Sequence, residues 1–152
     1  MTERIKIFGA TPSPYTQKML SVFRYRHIPY TVHNGDIANK IAKLGVEPPK
    51  PVLLPTLLLK DAAGEFVATT DSTPIIRRLE NEFKERRIIP DDPALAFINY
   101  LLEDFGDEWV TKYMFHYRWY FEDDADNAGT ILPLADLAIN TPNELHSQYK
   151  EF

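Results

Sequence analysis

Hydrophobic positions in the first half of the chain change their spacing repeatedly, which predicts strands alternating with helices. Short apolar runs rich in β-branched or aromatic residues indicate strands, and apolar residues three or four positions apart indicate helices. The predicted strands span 4–8, 30–32, 52–59 and 65–69, and the predicted helices span 15–27, 37–44 and 73–83. The run 52–59 is almost continuously apolar, as a strand buried on both faces would be. The order βαβαββα predicts an α/β sandwich in which a parallel pair with a crossover helix is followed by a β-hairpin.

The second half of the chain has a different pattern, which predicts helices only. Residues 85–92 are charged and contain proline, as an interdomain linker would. Residues 94–121 contain no proline and predict one helix about 42 Å long, at about 1.5 Å per residue. An apolar patch follows at 131–139, and Thr141, Pro142 and Glu144 have the spacing of a capping box that begins a further helix. Because nothing closes that helix, we expect a fragment of a longer protein, cut inside an all-helical second domain; a frayed natural terminus is the alternative.

The charge balance and the residue types exclude several function classes. The 152 residues carry a net charge of −5, whereas nucleic-acid binding needs clustered Lys and Arg, so we expect no nucleic-acid partner. No stretch approaches the roughly 18 apolar residues of a spanning helix, so we expect no membrane and a cytoplasmic location. The chain has no cysteine, which removes disulfides, thiolate nucleophiles and cysteine metal sites. Any thiol chemistry must use a thiol from outside the chain.

The stretch ATPSPYTQK, residues 10–18, joins the first predicted strand to the first predicted helix. Ser13 stands at the N-cap position and Pro14 at the first helical position, which is a strong signal for helix initiation. A serine that only caps the helix is one interpretation. A capping hydroxyl can also donate its own proton outward, to an anion that meets the positive end of the helix dipole. A bound thiol suits this position, because such donors lower its pKa.

Two further motifs interrupt the regular pattern. Pro55 lies inside the apolar run 52–59 and cannot donate to a sheet ladder, so either a cis Leu54–Pro55 bond or an edge-strand proline explains it. In TTDSTP, residues 69–74, Asp71 or Ser72 can begin the next helix as a cap. Local structure alone explains each of these motifs when it is taken singly.

Taken together and in order, SPYTQK, LPTL and TDSTPIIRRLE resemble the motifs of the glutathione transferase N-terminal domain, which has a thioredoxin-like fold. The sequence is most similar to the serine-type transferases, such as the tau class and related bacterial classes. The resemblance covers residues 4–84, and IIPDDPAL with the helix after it resembles the start of the family's helical C-terminal domain. It implies a thioredoxin-like glutathione-binding domain over 1–84, a linker over 85–92 and the start of an all-helical domain over 93–152.

The resemblance also implies a role for each matching residue. Ser13 matches the catalytic hydroxyl that donates to the glutathione sulfur and holds it as a thiolate. Leu54 precedes the family's cis-proline, here Pro55, and its backbone N–H and C=O pair with the cysteinyl part of glutathione. Asp71 and Ser72 match the acidic-Ser pair that receives the γ-glutamyl end, with Asp in place of the commoner and longer Glu.

Two more positions take their meaning from the same resemblance. Thr16 stands where redox relatives place a second cysteine, and this excludes a glutaredoxin-like dithiol cycle. Lys50 lies a few residues before Pro55, where the family often has a basic residue for the glycyl carboxylate of glutathione. Its offset from the family position is imperfect, and a solvated surface lysine is an equal alternative.

The family's second-substrate pocket lies between the N-terminal domain and the long helix that follows. The resemblance therefore assigns that pocket to aromatic side chains: Tyr15, Tyr113, His116, Tyr117 and Tyr120. A plain aromatic core or a dimer contact is the alternative for the segment 113–121. His116 has no second histidine or carboxylate at ligand spacing, so we expect no metal site there.

The expected function is that of a glutathione transferase, in which the thiolate of glutathione, the co-substrate, attacks an electrophilic small molecule. Arg77 and Arg78 would reach a partner subunit in a homodimer, as the resemblance implies, or form an exposed charged helix face. Two alternatives stay open. One is other glutathione chemistry on the same fold, such as dehalogenation, ether cleavage or isomerisation, and the other is a non-catalytic binding or scaffold module.

Overall fold

The structure, a computed structural model, describes residues 3–137, with side chains for 3–133. The chain divides into two compact units, Met1–Ile88 and Ile89–Phe152. The predicted capping box at Thr141–Glu144 lies outside the described residues, as does the end of the apolar patch. None of the helices within residues 3–137 is both long and apolar enough to span a membrane.

Unit 1 is built around a four-stranded mixed sheet. Its elements are β1 (Ile5–Phe8), α1 (Pro14–Arg26), β2 (Tyr30–His33), α2 (Ile37–Ala42), β3 (Thr56–Lys60), β4 (Phe66–Thr69) and α3 (Ser72–Glu82). The strand order is β2-β1-β3-β4. β1 is parallel to β2 and antiparallel to β3, and β3 is antiparallel to β4. This arrangement is thioredoxin-like and confirms the predicted order βαβαββα.

The alternation of side chains along the strands divides the core of unit 1 between the two faces of the sheet. On one face Phe8 and Leu58 pack against Ile37 and Ile41 of α2. Ile7 and its paired neighbour Leu57 are fully buried and point to the other face, which α1 and α3 cover. The two helices bury an apolar stripe each: Met19, Leu20 and Phe23 from α1, and Ile75, Ile76 and Leu79 from α3.

The prediction of a strand over 52–59 was wrong at its start. β3 begins only at Thr56, and Val52 and Leu53 are 41% and 49% exposed, so this part of the run is not buried on both faces. Pro51 and Pro55 have no N–H to donate to a ladder, and they keep the intervening residues in a loop. An apolar run was therefore mistaken for a longer strand.

All secondary-structure elements in the described part of unit 2 are helical. It contains α4 (Pro93–Phe105), a π-helical segment (Gly106–Val110), α5 (Thr111–Trp119) and α6 (Glu122–Leu137). The single helix predicted over 94–121 is thus interrupted by a π-helical segment and ends two residues early. α6 was not predicted, because Gly129 and Pro133 lie inside it and argue against a helix.

Candidate active site

Strand pairing brings the three sequence motifs to one edge of the sheet of unit 1. Phe8, the last residue of β1, pairs with His33 at the end of β2 and with Thr56 at the start of β3. Thr69, the last residue of β4, pairs with Leu57. The loops that carry the serine, the proline and the Asp-Ser pair all leave the sheet at this edge, which we call the site edge. The helices α1, α2 and α3 also begin there, with the positive ends of their dipoles.

Ser13 is the N-cap of α1. Its backbone is extended, at φ −80° and ψ 120°, and its Oγ accepts a hydrogen bond from the Thr16 N–H at 3.2 Å. The Ser13 N–H donates to the Ala10 carbonyl at 3.0 Å and closes the loop between β1 and α1. A hydroxyl that accepts a cap bond still has a proton to donate. Capping and donation to a ligand are therefore compatible at this position.

Thr16, in the first turn of α1, is packed away from solvent. It is only 1% exposed, and its Oγ1 accepts a hydrogen bond from the Ala10 N–H at 3.4 Å. Gly9 makes this packing possible. A Cβ at Gly9 would lie 2.6 Å from both Cγ2 and Oγ1 of Thr16, far inside normal contact distance.

The loop before β3 presents its backbone at the site edge. The Leu54–Pro55 peptide bond is cis, as the resemblance implies. Within the described part of the chain, no backbone hydrogen bond engages the N–H or the C=O of Leu54. Its side chain packs on the α2 side of the core, and the Thr56 hydroxyl holds the loop by donating to the Leu53 carbonyl at 2.7 Å. The backbone of Leu54 can therefore pair with an extended peptide.

Asp71 and Ser72 form the N-terminal end of α3. Asp71 has an unusual backbone, with φ 73° and ψ 116°, and its Oδ1 accepts a hydrogen bond from the Thr73 N–H at 3.1 Å. A non-glycine residue in such a conformation costs of the order of 1–3 kcal/mol, and such residues cluster at functional sites. Ser72, the first residue of the helix, is buried. The carboxylate and the hydroxyl are thus held at the dipole-positive end of α3.

Lys50 and Lys40 differ in the contacts that they make. The Lys50 side chain is 88% exposed, and its ammonium lies 3.8 Å from a carboxylate oxygen of Glu47. Lys40, on α2, donates to the carbonyl of Asn34, which directly follows β2 at the site edge. Sequence reasoning missed Lys40. Placing the end of β2 beside the end of β1 would have pointed to it.

His33 was also missed, and it is the titratable group at the end of β2. Its ring stacks on Phe8 with centroids 4.9 Å apart. Burial lowers the pKa of His33 below its usual value, and the positive charges of Lys40 and Lys6 lower it further. Burial is the largest cause of this shift, so His33 holds its charged form less readily than an exposed histidine would.

The aromatic residues assigned to the second-substrate pocket fall in both units. Tyr15 lies in the first turn of α1, in unit 1. Tyr113, His116 and Tyr117 lie on α5 and Tyr120 directly follows it, in unit 2. The His116 ring contacts those of Tyr120 and Tyr117, with centroids 4.7 and 5.2 Å away, and the aromatic rings of this group are exposed. Among the described residues no group of His, Cys, Asp and Glu side chains is arranged to hold a metal ion.

Comparison with curated proteins finds a relative of this chain. Glutathione S-transferase U4 of Arabidopsis thaliana is 28% identical over 108 residues, which are 71% of this chain and 46% of that protein. The chain therefore spans about half the length of this curated relative.

Solved structures share the fold at low sequence identity. A glutathione S-transferase of Methylobacterium radiotolerans, in complex with glutathione sulfonate, gives a TM-score of 0.59 at 22% identity, over 98% of this chain and 63% of that one. A glutathione transferase homologue of Burkholderia with bound glutathione gives a TM-score of 0.55 at 13% identity, over 84% of this chain and 62% of that one. Glutathione transferase Omega 1C of Trametes versicolor gives a TM-score of 0.57 at 17% identity, over 84% of this chain and 58% of that one.

The family model "Glutathione S-transferase, N-terminal domain" matches residues 7–87, more than half of the chain and nearly all of unit 1. This segment contains every motif at the site edge, from the serine loop to the Asp-Ser pair. The chain therefore belongs to the glutathione S-transferase family.

Proposed function

We propose that the chain binds glutathione at the site edge and transfers it to an electrophilic small molecule. One observation carries the proposal: the strand register brings the Ser13 cap, the Leu54 backbone and the Asp71–Ser72 helix start to the same edge of one sheet. These groups match the three parts of the ligand that the family recognises. They comprise a donor for a sulfur anion, an unpaired backbone segment for a peptide and a carboxylate for an ammonium group.

Ser13 supplies the chemistry at the sulfur. Its O–H donates to the bound sulfur while its Oγ accepts from the Thr16 N–H, and the N-terminus of α1 adds a partial positive charge. A charge-assisted hydrogen bond contributes about 1.5–3 kcal/mol, which lowers the thiol pKa by about one to two units. The thiol proton leaves to water. The thiolate then forms a carbon–sulfur bond with the electrophile, which expels its leaving group with the bonding electron pair.

The rest of the peptide would be held by polar groups around the sulfur position. The N–H and C=O of Leu54 pair with the cysteinyl residue in the manner of an added strand. Asp71 accepts from the ammonium of the γ-glutamyl end with the lone pairs that Thr73 does not use, beside the Ser72 hydroxyl. We assign the glycyl carboxylate to Lys40 rather than Lys50, because Lys40 lies on α2, which begins at the site edge, and donates to the Asn34 carbonyl there.

The proposal extends to the second substrate and to the assembly on the strength of the family resemblance. The aromatic group around His116 would contact the electrophile. A homodimer involving Arg77 and Arg78 and a cytoplasmic location belong to the same proposal.

Turnover with a panel of small electrophiles tests the proposal, with the wild type compared with Ser13→Ala and Ser13→Gly. Both variants lose the hydroxyl, but glycine retains most of the capping stability, so the pair separates chemistry from helix stability. We expect conjugation by the wild type and a loss of about tenfold or more in both variants at neutral pH, equal in the two. A wild type that binds glutathione but conjugates nothing in the panel would contradict the transferase and indicate a binding module.

A further inference from the structure

A buried ion cluster joins the ends of α1 and α3 that lie away from the site edge. Arg26 is the last residue of α1 and Glu80 lies near the end of α3. The Nη1 atom of Arg26 lies 2.9 Å from Oε1 of Glu80, and the two side chains are 0% and 4% exposed. A buried pair of this kind is expensive to form, because both charges lose their hydration.

The Glu80 carboxylate has partners besides Arg26. Oε1 also accepts a hydrogen bond from the Ile88 N–H at 3.2 Å, and Oε2 accepts from Nε of Arg87 at 3.0 Å. Nη2 of Arg26 donates to the carbonyls of Phe83 and Glu85 in the segment after α3. Arg26 is thus hydrogen-bonded to the carbonyls of residues 83 and 85, directly after α3, and Glu80 to residues 87 and 88. Arg26 and Glu80 contact each other as an ion pair, without a hydrogen bond from Nη1.

The same two helices carry the proposed glutathione groups at their other ends. α1 begins beside Ser13, and α3 begins with Asp71 as its cap and Ser72 as its first residue. Helices of 13 and 11 residues are rigid rods about 20 and 17 Å long. A shift of one end of such a helix along its axis therefore moves the other end by the same distance. The axial register of α1 against α3 therefore sets the position of Ser13 relative to the Asp-Ser pair.

We propose that Arg26 and Glu80 are positioning residues, which fix the register of α1 against α3 and thereby hold Ser13 at the sulfur of a ligand anchored on α3. This inference rests on the proposed function. The apolar contacts between the two helices are non-directional and tolerate sliding. The hydrogen bonds from Arg26 to the carbonyls of Phe83 and Glu85 weaken steeply with distance and angle, and the ion pair with Glu80 holds the Arg26 guanidinium at the end of α3. A misplacement of about 1 Å at a reacting group can cost about a hundredfold in rate, so a register device of this kind has a measurable consequence.

A double variant, Arg26→Met with Glu80→Leu, separates positioning from stability. Replacement of a buried ion pair by apolar residues of similar volume is often neutral or stabilising, so this variant should fold while losing the directional link. Glu80→Gln is the second variant, because it keeps the shape of the side chain and removes its charge. Glu82→Gln is the matched control: Glu82 lies on the same helix, pairs with Arg78 and is half exposed. Circular dichroism checks that each variant is folded.

Two ligands report on the register. The first is glutathione, whose thiol pKa in the complex is read from the ultraviolet absorbance of the thiolate against pH. The second is S-methylglutathione, which has the same peptide but no ionisable thiol, and whose dissociation constant is measured by calorimetry. Binding of glutathione to the wild type, with a thiol pKa below that of the free peptide, tests the proposed function separately from the positioning pair.

For the double variant and for Glu80→Gln, we expect the bound-thiol pKa to rise by about one unit, which makes the thiolate fraction near neutral pH several-fold smaller. The affinity for S-methylglutathione should stay at the wild-type value, and Glu82→Gln should match the wild type in both measurements. A folded variant with an unchanged thiol pKa would overturn the inference. Equal weakening of both ligands would also overturn it, because it would indicate general loosening rather than a shift of Ser13.

Discussion

Substitution of Gly9 by alanine tests the packing that supports the serine loop. The added Cβ would lie 2.6 Å from Cγ2 and from Oγ1 of Thr16, whereas carbon atoms normally approach to about 3.5–4.0 Å. Thr16 cannot turn aside easily, because it is 1% exposed and a β-branched side chain on a helix has few rotamers. The backbone at Gly9 is not in the left-handed region, so the clash and not the conformation decides the outcome.

The expected cost follows from three contributions. Overpacking by one carbon costs about 1–3 kcal/mol. Displacement of Thr16 also weakens the hydrogen bond from the Ala10 N–H to its Oγ1, worth about 0.5–1.5 kcal/mol. Alanine also lowers the conformational entropy of the unfolded chain, which offsets about 0.4–1 kcal/mol of this cost. We therefore expect Gly9→Ala to lower the free energy of unfolding of unit 1 by about 1–3 kcal/mol.

Urea denaturation measures this cost in two backgrounds, wild type and Thr16→Ala. Circular dichroism follows both units, and the fluorescence of Trp109 and Trp119, the two tryptophans of the chain, follows unit 2 alone. In the Thr16→Ala background the two clashing atoms are gone, so Gly9→Ala should cost less than about 1 kcal/mol and the two sites should couple. An equal cost in both backgrounds would refute the reasoning. Gly106→Ala is the control: it meets open space in a helical backbone and should be neutral or stabilising by up to about 1 kcal/mol.

Three further predictions concern charged groups. The folded pKa of His33 is lowered from its usual 6.5, so as the pH falls below 6.5 the unfolded state is protonated before the folded state. The free energy of unfolding should therefore decrease below pH 6.5 and stay constant just above it. His33→Gln should remove this decrease in a series of urea denaturations at different pH values. Glu80→Ala leaves Arg26 buried without its counter-charge and should cost about 3–5 kcal/mol in urea denaturation, against less than about 0.5 kcal/mol for Glu82→Ala; similar costs would contradict the burial argument. Lys40→Gln should weaken glutathione binding about fivefold to tenfold, as measured by calorimetry, whereas Lys50→Gln should leave it unchanged. The reverse pattern would indicate that Lys50, and not Lys40, binds the glycyl carboxylate.

Much of unit 1 could be predicted because its local signals agree with its tertiary contacts. Ser13 and Pro14 mark the start of α1 without ambiguity, and the alternation around Phe8 matches the two-faced sheet. The strand 52–59 was drawn too long because hydrophobicity does not reveal a missing hydrogen-bond donor until the pairing partner is known. The prolines decided where β3 begins, and the apolar pattern did not.

The residues that were missed at the site depend on long-range placement. Lys40 and His33 look like ordinary surface and strand positions in the sequence, and only the pairing of β1 with β2 brings them to the site edge. The Arg26–Glu80 pair spans more than fifty positions of the chain, beyond the reach of any local pattern. α6 was missed for the opposite reason, because local signals at Gly129 and Pro133 argued against a helix that forms nonetheless.

The central claim is that Ser13 at the site edge holds glutathione as a thiolate. The most direct measurement is a calorimetric titration of glutathione into the wild type and Ser13→Gly, repeated in buffers of different ionisation enthalpy so that released protons are counted. We expect proton release near neutral pH on binding to the wild type and its loss in Ser13→Gly, with binding itself retained. Equal proton counts in the two proteins, or no binding by the folded wild type, would contradict it.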